Sequence, residues 1–147
     1  MTSTNVSARA AGGRAASGHI GPVLRWLLTL QGVVLIVLGA LFVFAPEAAE
    51  QSYGVLVDTG SYELHYALAA REVLLGPIII ALAWRQQIAA LRLIMFCSIF
   101  VALADLVNVL GAGGSGGSSL MPHVTGIVVL SAFSIALYRV SRVSRTA

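Results

Sequence analysis

Long apolar segments alternate with short polar ones along this chain. Each apolar segment is close to the ~20 residues that a helix needs to cross ~30 Å of hydrocarbon. Pro46 ends the first segment, because proline cannot continue the helical hydrogen-bond ladder. The pattern predicts four membrane-spanning helices, over Pro22 to Ala45, Tyr66 to Trp84, Ile88 to Leu110 and Leu120 to Tyr138.

Composition supports a membrane protein. Hydrophobic residues make up 58% of the chain and charged residues only 10%, with a mean hydropathy of +0.90, whereas about 25% of a typical soluble domain is charged. A chain of 147 residues that is mostly spanning helix has no room for a separate soluble catalytic domain. We therefore expect an all-α integral membrane four-helix bundle, with any activity built between its helices.

Two polar tails are predicted beside the four-helix domain of residues 22–138. Residues 1–21 are rich in Ser, Ala and Gly and are expected to be disordered. Residues 139–147 form a basic tail. The first apolar segment is too long for the core of a cleavable signal peptide, so we interpret it as a retained helix.

The distribution of charge predicts the orientation of the bundle. In membrane proteins the cytoplasmic loops carry the excess of basic residues. Because the arginines of this chain lie in both termini and around the middle turn, these segments are predicted to be cytoplasmic, in an inner or plasma membrane. The first loop carries acidic residues and no basic ones. Eight arginines lie at the same predicted end of the bundle, before the first helix, around the turn between the second and third helices, or after the fourth. They are Arg9, Arg14, Arg25, Arg85, Arg92, Arg139, Arg142 and Arg145.

Polar residues inside the apolar segments are the candidates for function. A charged side chain at a helix centre costs roughly 2.5 to 3.5 kcal/mol, so such residues usually face a bundle interior and find partners there. Given the predicted topology, the sequence places them at similar depth and predicts a polar pocket in the outer half of the bundle. The expected members are Arg71, Glu72, Asp105, Asn108 and His123.

Arg71 is expected to pair bidentately with Asp105, because a guanidinium stays charged and needs a carboxylate in a low dielectric. Adjacent helical positions lie about 100° apart, so Arg71 and Glu72 are not expected to pair with each other. Glu72 would then share a proton with His123 or His65. Three interpretations remain open: a structural latch between the second and third helices, with Asn108 bonding across the interface; a ligand or substrate site; and proton coupling.

His65 is placed by the sequence at the membrane entry of the second helix, beside Tyr66, where an interfacial role is expected. Gln31 of the first helix is expected away from the polar cluster. The His, Asp and Glu residues show no close metal-ligand spacing, so neither a metal nor a cofactor is predicted. The scattered arginines do not form the dense basic face of a nucleic-acid-binding protein.

Gly32 and Gly39 form a stripe of small residues on the first helix, which is typical of close helix packing. This stripe also makes it a candidate face for a homodimer. The other expected partners are the lipid bilayer and a lipophilic small molecule.

Four short motifs, in this order, resemble a known family. They are FAPEAAEQSYGV at Phe44 to Val55, AAREVLLG at Ala69 to Gly76, ADLVNVL around Asp105, and HVTG at His123 to Gly126. From Val23 to about Tyr138 the chain resembles the small bacterial and fungal membrane proteins grouped as domain of unknown function 4267. The resemblance implies four membrane helices, an Arg-acidic pair opening the second and an acidic residue in the third, but no established activity.

Two functional hypotheses follow from these residues. In the first, the chain is a non-enzymatic protein whose cleft binds a lipophilic molecule or a partner helix. In the second, it is a small membrane enzyme that carries out acid–base isomerisation, cyclisation or hydrolysis, with Glu72, Asp105 and His123 as catalytic residues and Arg71, Asn108 and His65 in binding or structural roles.

Overall fold

The computed structural model describes residues 19–53, 63–111 and 117–146 of the chain. All regular structure within these residues is helical, which confirms the predicted all-α fold. The five helices are α1 (Pro22–Phe44), α2 (Pro46–Tyr53), α3 (Glu63–Trp84), α4 (Ile88–Gly111) and α5 (Gly117–Thr146).

Four of these helices, α1, α3, α4 and α5, are long and apolar enough to cross a membrane. Their outward faces carry many large apolar side chains, including Leu30, Leu74 and Phe100, each more than half exposed. Such a surface would be costly in water but matches the lipid of a bilayer. The chain is therefore a multi-pass membrane protein with a four-helix bundle, while the sidedness of its termini remains a prediction.

The two ends of the bundle differ. At the first end α1 stops and α3 begins, with the short helix α2 between them in sequence; we call it the α2 end. At the other end a short turn, Arg85 to Gln87, connects α3 to α4; we call it the turn end.

Helix α2 was not predicted, since the sequence analysis treated this segment as an outer loop. Pro46 ends α1 as expected, but it also stands at the start of the next helix, where a missing N–H costs nothing. Glu47 in the first turn adds a favourable charge at the helix N-terminus. The alanines, glutamates and glutamine that follow are good helix formers, which explains the extra helix.

The structure differs from the predicted bounds of the tails at two points. Residues 1–18 lie outside the described part of the chain, but Ile20 in the predicted tail is fully buried. Its backbone N–H donates to the side-chain oxygen of Gln86 at 2.7 Å, which ties the start of the bundle to the turn end. Helix α5 continues to Thr146, past the predicted limit at Tyr138, because no proline or glycine interrupts it there.

Helices α1 and α3 pack backbone against backbone. A Cβ atom added at Gly32 would lie 2.6 Å from the carbonyl oxygen of Gly76, and one added at Gly76 would lie 2.5 Å from the carbonyl oxygen of Gly32. Gly39 is similarly tight against Val73. The predicted close packing by the glycine stripe is therefore present, but inside the chain. Gly32 and Gly39 lie against α3, and a homodimer stays a prediction.

The bundle consists of two helix pairs, α1 with α3 and α4 with α5, which make few contacts with each other. At the turn end the pairs are joined by a buried apolar cluster that includes Ile20, Leu28, Ile79, Leu91 and Leu137. A second, smaller cluster at the α2 end joins α1, α2 and α3 through Phe42, Ala49 and Ala69. Between these clusters, the seam separating the two pairs contains the polar residues.

Candidate functional site

Arg71 of α3 and Asp105 of α4 face each other across the seam. Arg71 Nη1 donates to Asp105 Oδ1 at 3.1 Å and Nη2 donates to Oδ2 at 3.0 Å, which is the two-pronged geometry that matches a planar guanidinium to a carboxylate. The Asp105 side chain is only 13% exposed and that of Arg71 26%. The structure therefore brings together the pair expected from the sequence, and the pair connects α3 to α4.

Glu72 pairs with the same guanidinium, which the sequence analysis did not expect. Arg71 Nε donates to Glu72 Oε1 at 2.8 Å, and Nη2 lies 2.6 Å from the same oxygen. The prediction considered only the 100° between adjacent helical positions. It was wrong because the long, flexible arginine side chain turns its Nε edge back towards its neighbour while its Nη edge reaches Asp105.

One guanidinium thus lies between two carboxylates. With both carboxylates ionised, the three side chains carry one net negative charge, and they are largely buried. Burial of an unbalanced charge is costly. With both carboxylates ionised, the cluster therefore favours a proton, a cation or a hydrogen-bond donor over an anion.

These side chains line a cavity of about 180 Å³ between the two helix pairs. All four membrane-spanning helices contribute to it. From Arg71 to Ile79 the lining extends along α3 for about 12 Å at 1.5 Å per residue. The lining residues are Gln31, Leu35, Leu38, Arg71, Glu72, Leu75, Ile79, Ser98, Val101, Ala102, Asp105, Pro122, His123, Gly126 and Leu130.

His123 of α5 also lines this cavity and is only 5% exposed. The predicted grouping of Arg71, Glu72, Asp105 and His123 is therefore present in the structure. Asn108, the fifth expected member, is exposed and does not line the cavity. It lies three residues after Asp105, and the resulting offset of about 60° around the helix is sufficient to place it on the outward face of α4.

Gln31 also lines the cavity, although the sequence analysis placed it away from the cluster. The cavity is elongated, so it reaches from the carboxylates to polar atoms deeper in the bundle. Ser98 of α4 contributes a further hydroxyl to the lining. Ser98 lies seven residues before Asp105, and this helical spacing predicts that the two share a face of α4. Gln31 does not stand out by sequence spacing, and only the packing of the four helices identifies it.

His65 has a different environment from the one expected. It is 2% exposed, and its Nε2 lies 2.9 Å from Oε1 of Glu50 on α2, so it joins α2 to α3 outside the cavity. The interfacial role next to Tyr66 was expected to leave it near lipid headgroups. Glu50 could not be placed from the sequence, because helix α2 was not predicted.

Among the described residues, no three His, Cys, Asp or Glu side chains are grouped closely enough to hold a metal ion. Cys97 is a free and exposed thiol on α4. The ionisable groups that line the cavity are one guanidinium, two carboxylates and one imidazole.

The fold and the cavity define a multi-pass membrane protein with an ion-paired polar site inside a four-helix bundle. The family model described as "Domain of unknown function (DUF4267)" matches residues 32–137, and the chain belongs to that family. The match confirms the resemblance carried by the four short motifs. No curated protein and no solved structure matches the chain.

Proposed function

We propose that this chain is a membrane-embedded binding protein for a small lipophilic molecule with a polar head. The observation that carries the proposal is the cavity that all four spans share. Its polar end is formed by Arg71, Glu72, Asp105 and His123, and its walls are apolar side chains such as Leu35 and Leu75. A few convergent polar groups in an otherwise apolar pocket are typical of a small-molecule site.

The size of the cavity limits how much of the ligand it encloses. Its volume of about 180 Å³ is that of about six water molecules at ~30 Å³ each. Pockets that enclose a drug-sized molecule measure about 300 to 1,000 Å³. The site therefore takes a head group and its first few carbon atoms, and the rest of the ligand extends along the seam towards lipid.

The charges favour a head group that donates hydrogen bonds. The donors of Arg71 that face the cluster are already directed at Glu72 and Asp105. An anionic head would have to displace one of these carboxylates, whereas an amine compensates the excess negative charge. We therefore expect an amphipathic amine to bind more tightly than an alcohol, and an alcohol more tightly than a carboxylic acid of the same chain length.

The test is a comparison of decylamine, decanol and decanoate, titrated calorimetrically into the purified chain in lipid nanodiscs, with empty nanodiscs subtracted. Decylamine should bind at least tenfold more tightly than decanoate. Asp105→Asn should reduce that preference, because it removes the excess charge. Equal binding of all three probes in wild-type protein would disprove the proposed head-group chemistry.

Gly126 offers a variant that fills the cavity without removing a charge. It lines the cavity, and a Cβ atom added there would have no neighbour within 4 Å. Gly126→Leu should therefore fold normally and lose at least tenfold in affinity for decylamine. Unchanged affinity in this variant, with an unchanged melting temperature, would place the probe elsewhere.

A second candidate function is a membrane enzyme that uses acid–base chemistry. The observation in its favour is that a buried imidazole, His123, lines the same cavity as the carboxyl groups of Glu72 and Asp105. Paired groups of these types can take and return a proton at a bound substrate. The expected reactions are isomerisation, cyclisation or hydrolysis of a lipophilic molecule.

The acid–base hypothesis for isomerisation is tested by incubating the purified chain with a bacterial lipid extract in D₂O. Mass spectrometry then detects deuterium incorporated at carbon. Wild-type protein should incorporate deuterium into one lipid species, and Glu72→Gln should not, while it keeps the wild-type melting temperature. If wild-type protein incorporates no deuterium, the isomerisation hypothesis is contradicted and ligand binding is the remaining function proposed for the cavity.

A further inference from the structure

A groove of about 440 Å³ lies between α4 and α5 near the turn end, separate from the central cavity. Arg92, Leu93 and Phe96 line it from α4, and Ser134 and Tyr138 line it from α5. Leu93 and Phe96 are both more than half exposed. The groove therefore faces lipid rather than the interior of the bundle.

Two arginines flank the head of this groove and share one aromatic ring. The guanidinium carbon of Arg92 lies 5.1 Å from the ring centroid of Tyr138, and that of Arg142 lies 4.9 Å from it. Arg92 Nη1 also donates to the Ser141 hydroxyl at 3.0 Å. These contacts hold the guanidinium groups of Arg92 and Arg142 on the same ring, at the depth of the first two turns of α4.

The charge at this end of the chain is of one sign. There is no aspartate or glutamate in residues 19–46, 73–104 or 106–147. No acidic side chain from these segments can neutralise Arg92 or Arg142. A groove with two clustered arginines and no acidic residue in its lining is electrostatically complementary to a negatively charged head group.

Below the arginines, towards the bilayer centre, the groove has a hydroxyl group and an apolar surface, which match the ester groups and the acyl chains of a phospholipid. The hydroxyl oxygen of Ser134 is buried and makes no hydrogen bond to any residue in the described part of the chain. Ser134 is one of the lining residues of the groove, about 12 Å along α5 from Arg142 at 1.5 Å per residue. Phe96 and Phe100 stack edge to face at 5.2 Å and continue the apolar surface towards the bilayer centre.

We propose that this groove is a binding site for an anionic phospholipid. The phosphate lies between Arg92 and Arg142, an ester oxygen accepts a hydrogen bond from Ser134, and an acyl chain follows Phe96 and Phe100. Arg92 and Arg142 both contribute to the preference for a negatively charged lipid, and Arg92 also lines the groove. The site is independent of the ligand proposed for the central cavity.

The experiment is native mass spectrometry of the full chain, titrated with dioleoyl phosphatidylglycerol or with dioleoyl phosphatidylcholine. Wild-type protein should retain the anionic lipid at about tenfold lower lipid concentration. Arg92→Gln and Arg142→Gln should each weaken retention of phosphatidylglycerol about fivefold, since a juxtamembrane arginine contributes about 1 kcal/mol towards an anionic surface. Retention of phosphatidylcholine should not change.

Arg85→Gln is the matched control. Arg85 is exposed in the turn at the same end and does not line the groove, and its substitution removes the same charge. It should leave retention of phosphatidylglycerol within twofold of wild type. Equal losses in Arg85→Gln and Arg92→Gln, or equal retention of the two lipids by wild-type protein, would overturn the proposal. Arg142 is exposed, so its substitution tests the site even if Arg92→Gln does not fold.

Discussion

Arg71 donates two parallel hydrogen bonds to Asp105, at 3.1 and 3.0 Å, across the seam where the two helix pairs make few other contacts. The apolar cluster at the turn end joins the same two pairs at the opposite end of the cavity. The ion pair therefore joins the two helix pairs at the end of the cavity that lies away from this apolar cluster. In this arrangement a structural latch and a polar ligand site use the same side chains.

A double-mutant cycle on Arg71→Gln and Asp105→Asn tests the latch. Arg71→Gln leaves two carboxylates without their shared cation, whereas Asp105→Asn breaks the bond across the seam but leaves Arg71 paired with Glu72. Both should destabilise the folded protein, Arg71→Gln more than Asp105→Asn. The double variant should lose less than the sum of the two, with a coupling of about 1 to 3 kcal/mol. Unfolding of the purified chain in mixed detergent micelles provides the measurement. Additive losses would mean that the pair contributes no stability of its own.

Glycine substitutions test the α1–α3 contact. Gly32→Ala should destabilise by about 1 to 3 kcal/mol, because its Cβ would lie 2.6 Å from the Gly76 carbonyl oxygen and from Ile80. Gly126→Ala meets open space and should be neutral or slightly stabilising, since alanine is favoured over glycine in helices by about 1 kcal/mol. Thermal unfolding in detergent compares them. Equal melting temperatures for the two variants would contradict the packing described here.

The contact between His65 and Glu50 predicts a change in local stability. Glu50→Ala removes the 2.9 Å contact with buried His65 and should loosen α2 from α3. Hydrogen–deuterium exchange of residues 47–53 should accelerate about tenfold, which corresponds to the roughly 1.5 kcal/mol of a hydrogen bond to a charged group. Glu47→Ala on the same helix is the control, because Glu47 is exposed. Similar exchange in both variants would show that the contact does not hold α2.

The orientation of the bundle remains a prediction from the arginine distribution, and cysteine labelling tests it. In a Cys97→Ser background, Glu47→Cys and Gln87→Cys place one thiol at each end of the bundle. A membrane-impermeant maleimide applied to intact cells should label position 47, and should label position 87 only after permeabilisation. The opposite pattern would invert the predicted topology.

The sequence predicted the four spans well because apolar length is a direct physical requirement of the bilayer. It also predicted the Arg71–Asp105 pair, because a buried guanidinium needs a carboxylate. The positions of the two residues within their helices placed them at a similar depth in the membrane. Asn108 was misplaced, since depth alone does not say which face of α4 turns outward. That choice depends on how α4 packs against α5, which cannot be read from one helix.

Two other features required the assembled structure. The pairing of Arg71 with Glu72 depends on the conformation of a long side chain, and helical spacing does not determine it. The His65–Glu50 contact depends on α2, whose eight residues lack the apolar length by which the spans were recognised. Both errors concern local geometry, whereas the bundle and most of its polar cluster follow from helix length and charge.

The most direct test of a ligand site in the seam is photolabelling with a decylamine analogue that carries a diazirine on its alkyl chain. Mass spectrometry of the labelled protein in nanodiscs should locate the label on Leu35, Leu75 or Leu130, which line the cavity. Excess decylamine and the Gly126→Leu substitution should both abolish that labelling. Label found only on lipid-facing residues such as Leu30 and Phe100, and unaffected by Gly126→Leu, would contradict a binding function for the cavity.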